Sequence, residues 1–410
     1  MSQRLPSPRR IVVIGGGPAG TFAAIAAKKR DPEASVILLT REHCEPYEKP
    51  PLSKAVLLGV VEPEAAPIAG PSGVAGHGVA LKVRADCVAI DCAARAVLLT
   101  DGRRMLYDTL VIATGAVARE LPLLPIGMPR VHYLRSEADA RALKAALHSA
   151  RDLLVVGGGL IGLEVASSAA RLGVKVTVLE VASRILTRVC DEETGAVVEA
   201  AHRRHGVDIR VSTALASAAV EADGRIAAIT GGGDRIVADL VVVGTGSQPD
   251  TALAAAAGLA CEDGIIVDGH CRASESSVFA AGDCVRFPGP HGLVRLENWI
   301  HAQDHGTIAG RNAAGGSDTY AAVPSFWSEQ YGLYIQGVGW PPSGATRVRR
   351  PLDANRSLVF EVKDGRLTYT MGINAQRDIA IARRLIERGL SVDADELADP
   401  ARALAAMLKR

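Results

Sequence analysis

Two glycine-rich segments have the residue types and spacing that suit the binding of a dinucleotide. Each has the pattern Gly-x-Gly-x-x-Gly directly after an apolar run of four residues. The glycines are Gly15, Gly17 and Gly20 in the first segment and Gly157, Gly159 and Gly162 in the second. Where such a loop joins a strand to a helix, its amides and the helix dipole can bind a pyrophosphate. One match could be only a tight strand-to-helix turn, but two in the same context predict two dinucleotide sites.

An acidic side chain about twenty residues after such a loop typically binds a ribose hydroxyl. Glu180 ends the second predicted strand of the second copy. Its carboxylate would repel a 2′-phosphate, which favours NADH over NADPH, although Arg184 and Arg188 lie close in sequence and could bind that phosphate. An exposed strand end is the alternative interpretation of Glu180. In the first copy Thr40 and Arg41 occupy the same place, so the ribose partner there stays open.

Two further carboxylates lie at the ends of predicted elements. Glu164 falls in the first turn of the helix after the second glycine loop. It could interact with the helix dipole alone or pair with a lysine elsewhere, and the residues by themselves leave both interpretations open. Asp283 follows an apolar strand, where parallel sheets bind ligands at their carboxyl edge. A helix N-cap is the alternative for Asp283.

The elements around these residues form an internal repeat. Residues 11–39 and 153–179 each predict a buried strand, a glycine loop, an Ala-rich helix (18–30 or 160–172) and a second strand. Similar closing strands follow at 107–115 and 238–246, and 62–80 is predicted to be a surface loop. After residue 324 the pattern predicts strands at 331–338, 357–362 and 366–371 and a helix at 378–388. The predicted fold is α/β, with two Rossmann-like nucleotide-binding domains and a smaller C-terminal α+β domain.

Composition excludes several classes of protein. The 410 residues carry a formal net charge of +1, which provides no overall field for nucleic acid or an anionic membrane. No apolar stretch is long enough and free enough of glycine and proline to span a bilayer. Seven cysteines, an odd number without a disulfide-framework spacing, predict reduced thiols and a cytoplasmic protein. His301 and His305 have helical spacing but no third ligand, so we predict no metal site.

Cys87 and Cys92 have the spacing of a redox disulfide but the wrong context. They flank a predicted strand hairpin, where residues five apart point to opposite faces roughly 16 Å apart, beyond disulfide reach. We therefore predict that this pair has no redox function.

Several segments together resemble the FAD-dependent ferredoxin reductases of bacterial oxygenase systems. They are the two glycine loops, residues 46–54, 113–115, 280–283, 297–299 and 326–331. The most specific are Pro-Pro-Leu-Ser-Lys at 50–54 and Phe-Trp-Ser-Glu-Gln at 326–330, and the resemblance covers essentially the whole chain. It implies a glutathione reductase-like fold with an FAD domain in two segments, 1–115 and 246–324. It also implies an NAD domain at 116–245 and a C-terminal domain at 325–410.

The resemblance also assigns roles to individual residues. Lys54 matches a lysine beside the reactive edge of the flavin, Glu164 the carboxylate that pairs with it, and Trp327 an aromatic residue near the nicotinamide. The matches to FAD contacts are Gly15, Gly17, Ala19, Gly20, Arg41, Lys54, Cys87 (through its backbone), Arg135, Asp283 (on the ribitol) and Trp299. The matches to NAD contacts are Gly157, Gly159, Ile161, Gly162, Glu180 and Arg188. Two departures put FAD affinity in question: Arg41 replaces an acidic residue, and Lys49 stands where arginine is common.

The implied activity is that of an NADH-dependent flavoprotein oxidoreductase. Hydride passes from NADH to FAD, and single electrons then pass to a small iron–sulfur ferredoxin that serves an oxygenase. Lys54, paired with Glu164, would stabilise negative charge on the reduced flavin. Arg347, Arg349 and Arg350 are a candidate docking patch for an acidic ferredoxin, with a solvated loop as the alternative.

Two other functions remain open at this point. One is an NADH oxidase, or a reductase of quinones or of rubredoxin. The other is a redox-sensing flavoprotein resembling apoptosis-inducing factor. The sequence also leaves open whether the protein is a monomer or a homodimer.

Overall fold

The computed structural model describes residues 8–290, 292–321, 323–353 and 355–409. The α-helices are α1 (Pro18–Arg30), α2 (Glu137–Leu147), α3 (Leu160–Arg171), α4 (Glu192–Arg204), α5 (Ala252–Ala256), α6 (Trp299–Ala313), α7 (Gln376–Arg388) and α8 (Ala394–Ala398). Short 3-10 helices lie at Pro50–Ser53, Pro63–Ala65, Val74–His77 and Leu404–Lys409.

The strands are β1 (Arg10–Ile14), β2 (Ser35–Leu39), β3 (Ala80–Lys82), β4 (Cys87–Asp91), β5 (Ala96–Leu99), β6 (Arg104–Leu106), β7 (Thr109–Ile112), β8 (Ala116–Ala118), β9 (Val131–His132), β10 (Asp152–Val156), β11 (Lys175–Leu179), β12 (Asp208–Arg210), β13 (Leu215–Val220), β14 (Ile226–Thr230), β15 (Arg235–Ala238), β16 (Leu240–Val243), β17 (Ser247–Pro249), β18 (Ile265–Ile266), β19 (Val278–Ala280), β20 (Val285–Gly289), β21 (Gly292–Val294), β22 (Ser325–Gln330), β23 (Leu333–Gly339), β24 (Thr346–Asp353), β25 (Arg356–Lys363) and β26 (Arg366–Ile373).

The described residues group into two compact units. Unit 1 draws on Met1–Glu48, Glu62–Val117 and Ser247–Ala322, and unit 2 on Lys49–Val61, Ala118–Gly246 and Val323–Arg410. Lys49–Val61 thus groups with unit 2, although the resemblance assigned it to the FAD domain. The domain boundaries inferred from the sequence stay a prediction, and residues 1–7 of the first segment lie outside the described residues.

Unit 1 is built on a five-stranded parallel sheet with the order β19-β7-β1-β2-β3. Strand β1 lies in its centre, and its apolar residues from Ile11 to Ile14 are buried, as expected for a parallel strand covered on both faces. Helix α1 packs closely against α6. An ideal Cβ at Gly306 would lie 2.2 Å from the carbonyl oxygen of Ala19, and one at Gly310 would lie 2.0 Å from that of Ala23. The two helices therefore meet at backbone distance.

The segment from residue 62 to residue 80 differs from its predicted surface loop. It contains the 3-10 helices Pro63–Ala65 and Val74–His77, and β3 begins at Ala80. Val74 and Val79 are buried in the core of unit 1. The sequence did not predict this packing, because the segment consists mainly of Pro, Gly and Ala and its two buried valines are too few to produce a periodic pattern.

Unit 2 repeats the same arrangement in its sheet β12-β11-β10-β16-β9. Strand β10 pairs in parallel with β11 and β16, as β1 does with β2 and β7. The internal repeat predicted from the sequence is confirmed at this level. Leu57, Leu163 and Met371 belong to one core, so the segment Lys49–Val61, helix α3 and strand β26 are packed together within unit 2.

The C-terminal part of unit 2 is an antiparallel sheet with the order β22-β23-β26-β25-β24, packed against α7. Helix α7 ends at Gly389, whose φ of +58° favours glycine at this C-cap. Strand β24 was missed in the sequence because its three arginines interrupt the apolar alternation. None of the described helices has the length and apolar character required to cross a bilayer.

Candidate functional site

The first glycine loop connects β1 to α1 in unit 1. Gly15 has a φ of +114°, and a Cβ there would lie 2.0 Å from the carbonyl oxygen of Ala113. A Cβ at Gly20 would lie 1.8 Å from the carbonyl oxygen of Gly15, so these positions require glycine. At Gly17 a Cβ would meet nothing within 4 Å, and no side chain of the described residues caps α1 there. Open space at an uncapped helix N-terminus fits a pyrophosphate, and Ala19, the second residue of α1, is buried.

The second glycine loop connects β10 to α3 in unit 2 and has the same features. Gly157 has a φ of +111°, and a Cβ there would lie 2.5 Å from the carbonyl oxygen of Gly244. A Cβ at Gly162 would lie 2.2 Å from the carbonyl oxygen of Gly157, and Gly159 begins α3 without a side-chain cap in the described part of the chain. Ile161 is 46% exposed in the first turn of α3. An exposed apolar side chain here suits contact with a bound ligand.

Glu180 lies directly beside the second loop. Its Oε2 accepts a hydrogen bond of 2.7 Å from the amide of Gly158, and its Oε1 accepts one of 2.8 Å from the amide of Ala182. The two arginines that could bind a 2′-phosphate differ in their contacts. Arg184 donates to the carbonyl oxygens of Ile185 and Cys190, whereas Arg188 is exposed and lies near Gly246. The guanidinium of Arg184 is thus bonded within its own loop, and the preference for NADH over NADPH stays a prediction.

In unit 1 the place of Glu180 is occupied by Thr40. A Cβ at Gly16 would lie 2.6 Å from Thr40 Oγ1, just as one at Gly158 would lie close to Glu180. Arg41 is exposed and lies 3.7 Å from Asp250. The nearest carboxylate in sequence, Glu42, accepts a hydrogen bond from Tyr47.

Asp283 lies in the turn between β19 and β20. Because a strand and not a helix follows it, the N-cap alternative is wrong. Trp299 is the first residue of α6, which is capped by Asn298, and its ring meets Phe22 edge-on at 5.9 Å between centroids. Burial raises the pKa of Glu48, and a hydrogen bond with Trp299 opposes that rise.

The remaining predicted contacts are placed as follows. Arg135 directly precedes Ser136, the N-cap of α2, and its amide donates to Asp139 at 3.1 Å. Cys87 begins β4 and is buried, and burial raises the pKa of its thiol to about 11. Strands β4 and β5 form the predicted hairpin, and Cys87 and Cys92 are both free thiols. The predicted hairpin is confirmed, and the absence of a redox function for this pair stays a prediction.

Lys54 and Glu164 form an ion pair within unit 2. Lys54 Nζ lies 2.7 Å from Glu164 Oε2, and Glu164 is 3% exposed. Ser53 also donates to Oε2, and Ser328 Oγ donates to Oε1 at 2.6 Å. Of the two interpretations of Glu164, pairing with a lysine is confirmed.

The third catalytic candidate, Trp327, precedes Ser328 on β22. Because successive side chains of a strand point to opposite faces, Trp327 lies on the other face of β22 from the hydroxyl that binds Glu164. The sequence did not single out Ser53 or Ser328, since nothing in their spacing indicates a contact with Glu164. Both serines lie in the two most specific segments of the resemblance, residues 50–54 and 326–330, and this was the one feature of the sequence that could have indicated them.

The three arginines of the candidate docking patch lie on a strand. Arg347, Arg349 and Arg350 belong to β24, so the solvated-loop alternative is wrong, and the docking role stays a prediction. Arg350 is buried and donates to the carbonyl oxygens of Leu397 and Arg402. Arg349 lies 2.7 Å from Glu193, and Arg347 lies 3.2 Å from Glu361. One of the three arginines is structural, and the other two already have carboxylate partners.

Comparison with known proteins agrees with this geometry. The family described as "Pyridine nucleotide-disulphide oxidoreductase" matches residues 9–306, and the one described as "Reductase C-terminal" matches residues 325–408. The chain is 38% identical, over 95% of its length and 97% of the relative, to the ferredoxin–NAD(+) reductase component of the anthranilate 1,2-dioxygenase system of Burkholderia cepacia. It is 36% identical to rhodocoxin reductase of Rhodococcus erythropolis, over 95% and 92% of the two chains. A crystal structure of a covalent putidaredoxin reductase–putidaredoxin complex matches with a TM-score of 0.92, 31% identity and 98% coverage of both chains.

Proposed function

Because the chain belongs to the pyridine nucleotide-disulphide oxidoreductase family, whose members bind FAD and depend on NAD(H), we propose that it is an NADH-dependent ferredoxin reductase. In this proposal it takes electrons from NADH and delivers them one at a time to a small iron–sulfur ferredoxin of an oxygenase system. The relatives named as ferredoxin–NAD(+) reductase components support the choice of acceptor. The odd set of free thiols supports a cytoplasmic enzyme, and the net charge of +1 argues against nucleic acid as a partner.

The proposal assigns binding roles to residues whose surroundings fit them. Gly17 and the first amides of α1 would hold the FAD pyrophosphate, and Asp283 would accept hydrogen bonds from the ribitol. Gly159, the first amides of α3 and Glu180 would hold NADH in the same way. When bound, FAD supplies the chemistry that converts the electron pair of a hydride into single electrons.

Lys54 and Glu164 have the catalytic role in this proposal. Glu164 holds the ammonium of Lys54 at 2.7 Å and half-buried, where a positive charge is screened less than in water. The resemblance to ferredoxin reductases assigns this ammonium to the flavin edge, where it would stabilise negative charge. Trp327 would line the nicotinamide side.

The observation that carries the proposal is the pair of uncapped glycine loops, each at the start of a helix, in a chain whose Cys87 and Cys92 are free. In this proposal the flavin itself passes electrons to the acceptor, without the hairpin cysteines Cys87 and Cys92. A one-electron acceptor suits this route.

The test is anaerobic reduction of the FAD-loaded protein by NADH and by NADPH in separate stopped-flow experiments. Oxygen, a ferredoxin or a rubredoxin is then added to the reduced protein. We expect faster bleaching of the flavin absorbance with NADH and rapid reoxidation by the ferredoxin alone. Rapid turnover with oxygen alone would instead indicate an NADH oxidase, and preference for rubredoxin a rubredoxin reductase. A long-lived reduced complex with slow release of electrons to all three would indicate a redox sensor.

A further inference from the structure

A chain of hydrogen bonds continues from Glu164 to helix α4. Ser328 Oγ donates to Glu164 Oε1 at 2.6 Å, and Gln330 Nε2 donates to Ser328 Oγ at 3.0 Å. On the other side of the Gln330 amide, Oε1 lies 2.7 Å from His202 Nε2. All four side chains are buried in unit 2. The Lys54–Glu164 pair is therefore one end of a buried polar chain whose other end is His202.

The donors of this chain all point towards Glu164. A carboxylate only accepts hydrogen bonds, so the Ser328 hydroxyl must donate to it, and that hydroxyl can then accept from the amide group of Gln330. With its nitrogen facing Ser328, Gln330 presents its oxygen to His202. The hydrogen of the His202 ring must therefore be on Nε2.

His202 is suited to this fixed role. It is 0% exposed, and burial is the main reason that the pKa of His202 is lowered, which keeps the ring neutral. Its Nδ1 has no partner among the described residues, as expected if that atom carries a lone pair and not a hydrogen. The neighbouring Tyr331, with a φ of +50°, lies edge-on to the His202 ring at 4.9 Å and stacks on His205 at 3.9 Å. The end of α4 thus packs against the turn that follows Gln330.

We infer that His202 and Gln330 are positioning residues for Lys54, acting through Ser328 and Glu164. The orientation of the Glu164 carboxylate decides where its Oε2 holds the Lys54 ammonium. That orientation is determined by the donors on each oxygen, and Ser328 is the donor to Oε1. If Gln330 is lost, the Ser328 hydroxyl loses the donor that holds its oxygen, and if His202 is lost, the Gln330 amide is no longer held. In both cases the carboxylate of Glu164 is oriented less firmly. The inference rests on the proposed function, because it assumes that the ammonium of Lys54 acts at the flavin edge.

The first test needs no turnover. In the FAD-loaded protein labelled with ¹⁵N-histidine, NMR should show His202 as a neutral ring with hydrogen on Nε2 and not on Nδ1. Replacing Gln330→Leu should shift the Nε2 signal and speed the exchange of its hydrogen with solvent. A hydrogen on Nδ1 in the wild-type protein would reverse the amide of Gln330 and overturn the inference.

The second test measures the rate of flavin reduction at saturating NADH. We expect His202→Leu and Gln330→Leu to slow it by about 10-fold, because a displaced catalytic group is costly. His202→Gln retains an N–H donor and should recover most of the rate. The matched control is His205→Leu, which removes the ring stacked on Tyr331 but no member of the chain, since His205 bonds to the carbonyl oxygen of Ala201. We expect this control to keep a rate close to that of the wild type.

A double-mutant cycle with Lys54→Met separates positioning from a purely structural role. If His202 acts through Lys54, adding His202→Leu to Lys54→Met should cause no further loss of rate. If His202→Leu lowers the rate of flavin reduction equally in the wild type and in Lys54→Met, and Lys54→Met alone is slow, the inference is overturned and the proposed function stays intact. An unchanged rate for Lys54→Met alone would instead remove the role of Lys54 on which both depend. Transfer to the ferredoxin is not measured, so the choice of acceptor does not affect the result.

Discussion

Lys54 Nζ lies 2.7 Å from Glu164 Oε2, an ion pair between residues 110 positions apart in the sequence. Glu164 is the fifth residue of α3 and so lies just after the first turn, in which the sequence had placed it, and Lys54 follows the 3-10 helix Pro50–Ser53. The contact joins the segment that contains Pro50–Ser53 to helix α3, which begins at the glycine loop that we assign to NADH. The carboxylate that holds this ammonium is buried and accepts hydrogen bonds from the Ser53 and Ser328 hydroxyls. An ammonium held in this way needs little reorganisation when negative charge develops near it.

Replacing Lys54→Met should slow flavin reduction by NADH by about 100-fold, because the variant retains the length of the side chain and loses its charge. Stopped-flow absorbance at saturating NADH measures this rate directly. Lys175→Met is the matched control, since Lys175 is 78% exposed and lies 3.8 Å from Asp152. Identical traces for wild type and Lys54→Met would contradict the assigned role.

Replacing Glu180→Gln should weaken NADH binding and reduce the preference for NADH over NADPH. The glutamine oxygen can accept one of the two amide hydrogen bonds that Glu180 now accepts, and the negative charge that would repel a 2′-phosphate is lost. We expect the KM for NADH to rise by about 10-fold and kcat to change little, because the interaction is made before and during the reaction alike.

Steady-state kinetics with both nucleotides test this expectation. Glu192→Gln, which removes an exposed carboxylate from the first turn of α4, is the control. If Glu180→Gln leaves the NADH:NADPH ratio of kcat/KM unchanged, Glu180 holds the loop but does not select the nucleotide.

The sequence predicted those parts of the site that local patterns encode. Both glycine loops and helix α1 from Pro18 to Arg30 follow from apolar runs, glycine spacing and alanine content, which act over a few neighbouring residues. Glu164 was predicted with two alternatives, because its partner lies far away in the chain. The chain through Ser328 and Gln330 to His202 was not predicted at all. Its bonds join residues up to 164 positions apart, and no spacing in the sequence specifies such a contact.

A cluster of basic residues in the sequence did not predict which charges are exposed on the surface. Arg347, Arg349 and Arg350 form a basic cluster in the sequence, yet strand alternation sends their side chains to different faces of β24. Arg350 is buried, and its guanidinium donates to the carbonyl oxygens of Leu397 in α8 and of Arg402 after it. A docking surface has to be inferred from which charges remain unpaired, and this depends on the tertiary structure.

Replacing Gly310→Ala should destabilise the packing of α1 on α6. The new methyl group would lie 2.0 Å from the carbonyl oxygen of Ala23, so backbone must move, at a cost of about 1–3 kcal/mol in the free energy of unfolding. Because α1 begins at the first glycine loop, FAD affinity should fall as well. Urea unfolding and FAD titration measure the two effects.

The control for this substitution is Gly195→Ala in helix α4. A Cβ there would meet the end of the flexible Arg184 side chain at 3.4 Å, and alanine favours the helix by about 1 kcal/mol. We expect Gly195→Ala to be neutral or stabilising. Equal midpoints of unfolding for Gly310→Ala and the wild type would show that α1 and α6 can separate at no cost.

Acid should destabilise unit 1 through a buried histidine. His301 lies on α6, bonds to Tyr320 at 2.7 Å and is 1% exposed, and burial lowers its pKa to about 4. The unfolded chain binds a proton at this residue below about pH 6.5, whereas the folded protein does not until about pH 4. The stabilisation is therefore complete above pH 6.5 and is lost as the pH falls towards 4, by about 3 kcal/mol for this group. Burial lowers the pKa of the neighbouring His305 as well, so its effect has the same sign.

The variant His301→Phe retains a ring that can stack on Phe287, 5.0 Å away between centroids, and cannot bind a proton. Its free energy of unfolding should fall less steeply between pH 6.5 and 4 than that of the wild type, even if its stability at pH 8 is lower because the bond to Tyr320 is lost. Urea unfolding of the holoenzyme at several pH values measures the slope. His148→Phe, at the exposed C-cap of α2, should leave it unchanged. Parallel curves for wild type and His301→Phe would contradict the prediction, because the slope would then arise from other groups.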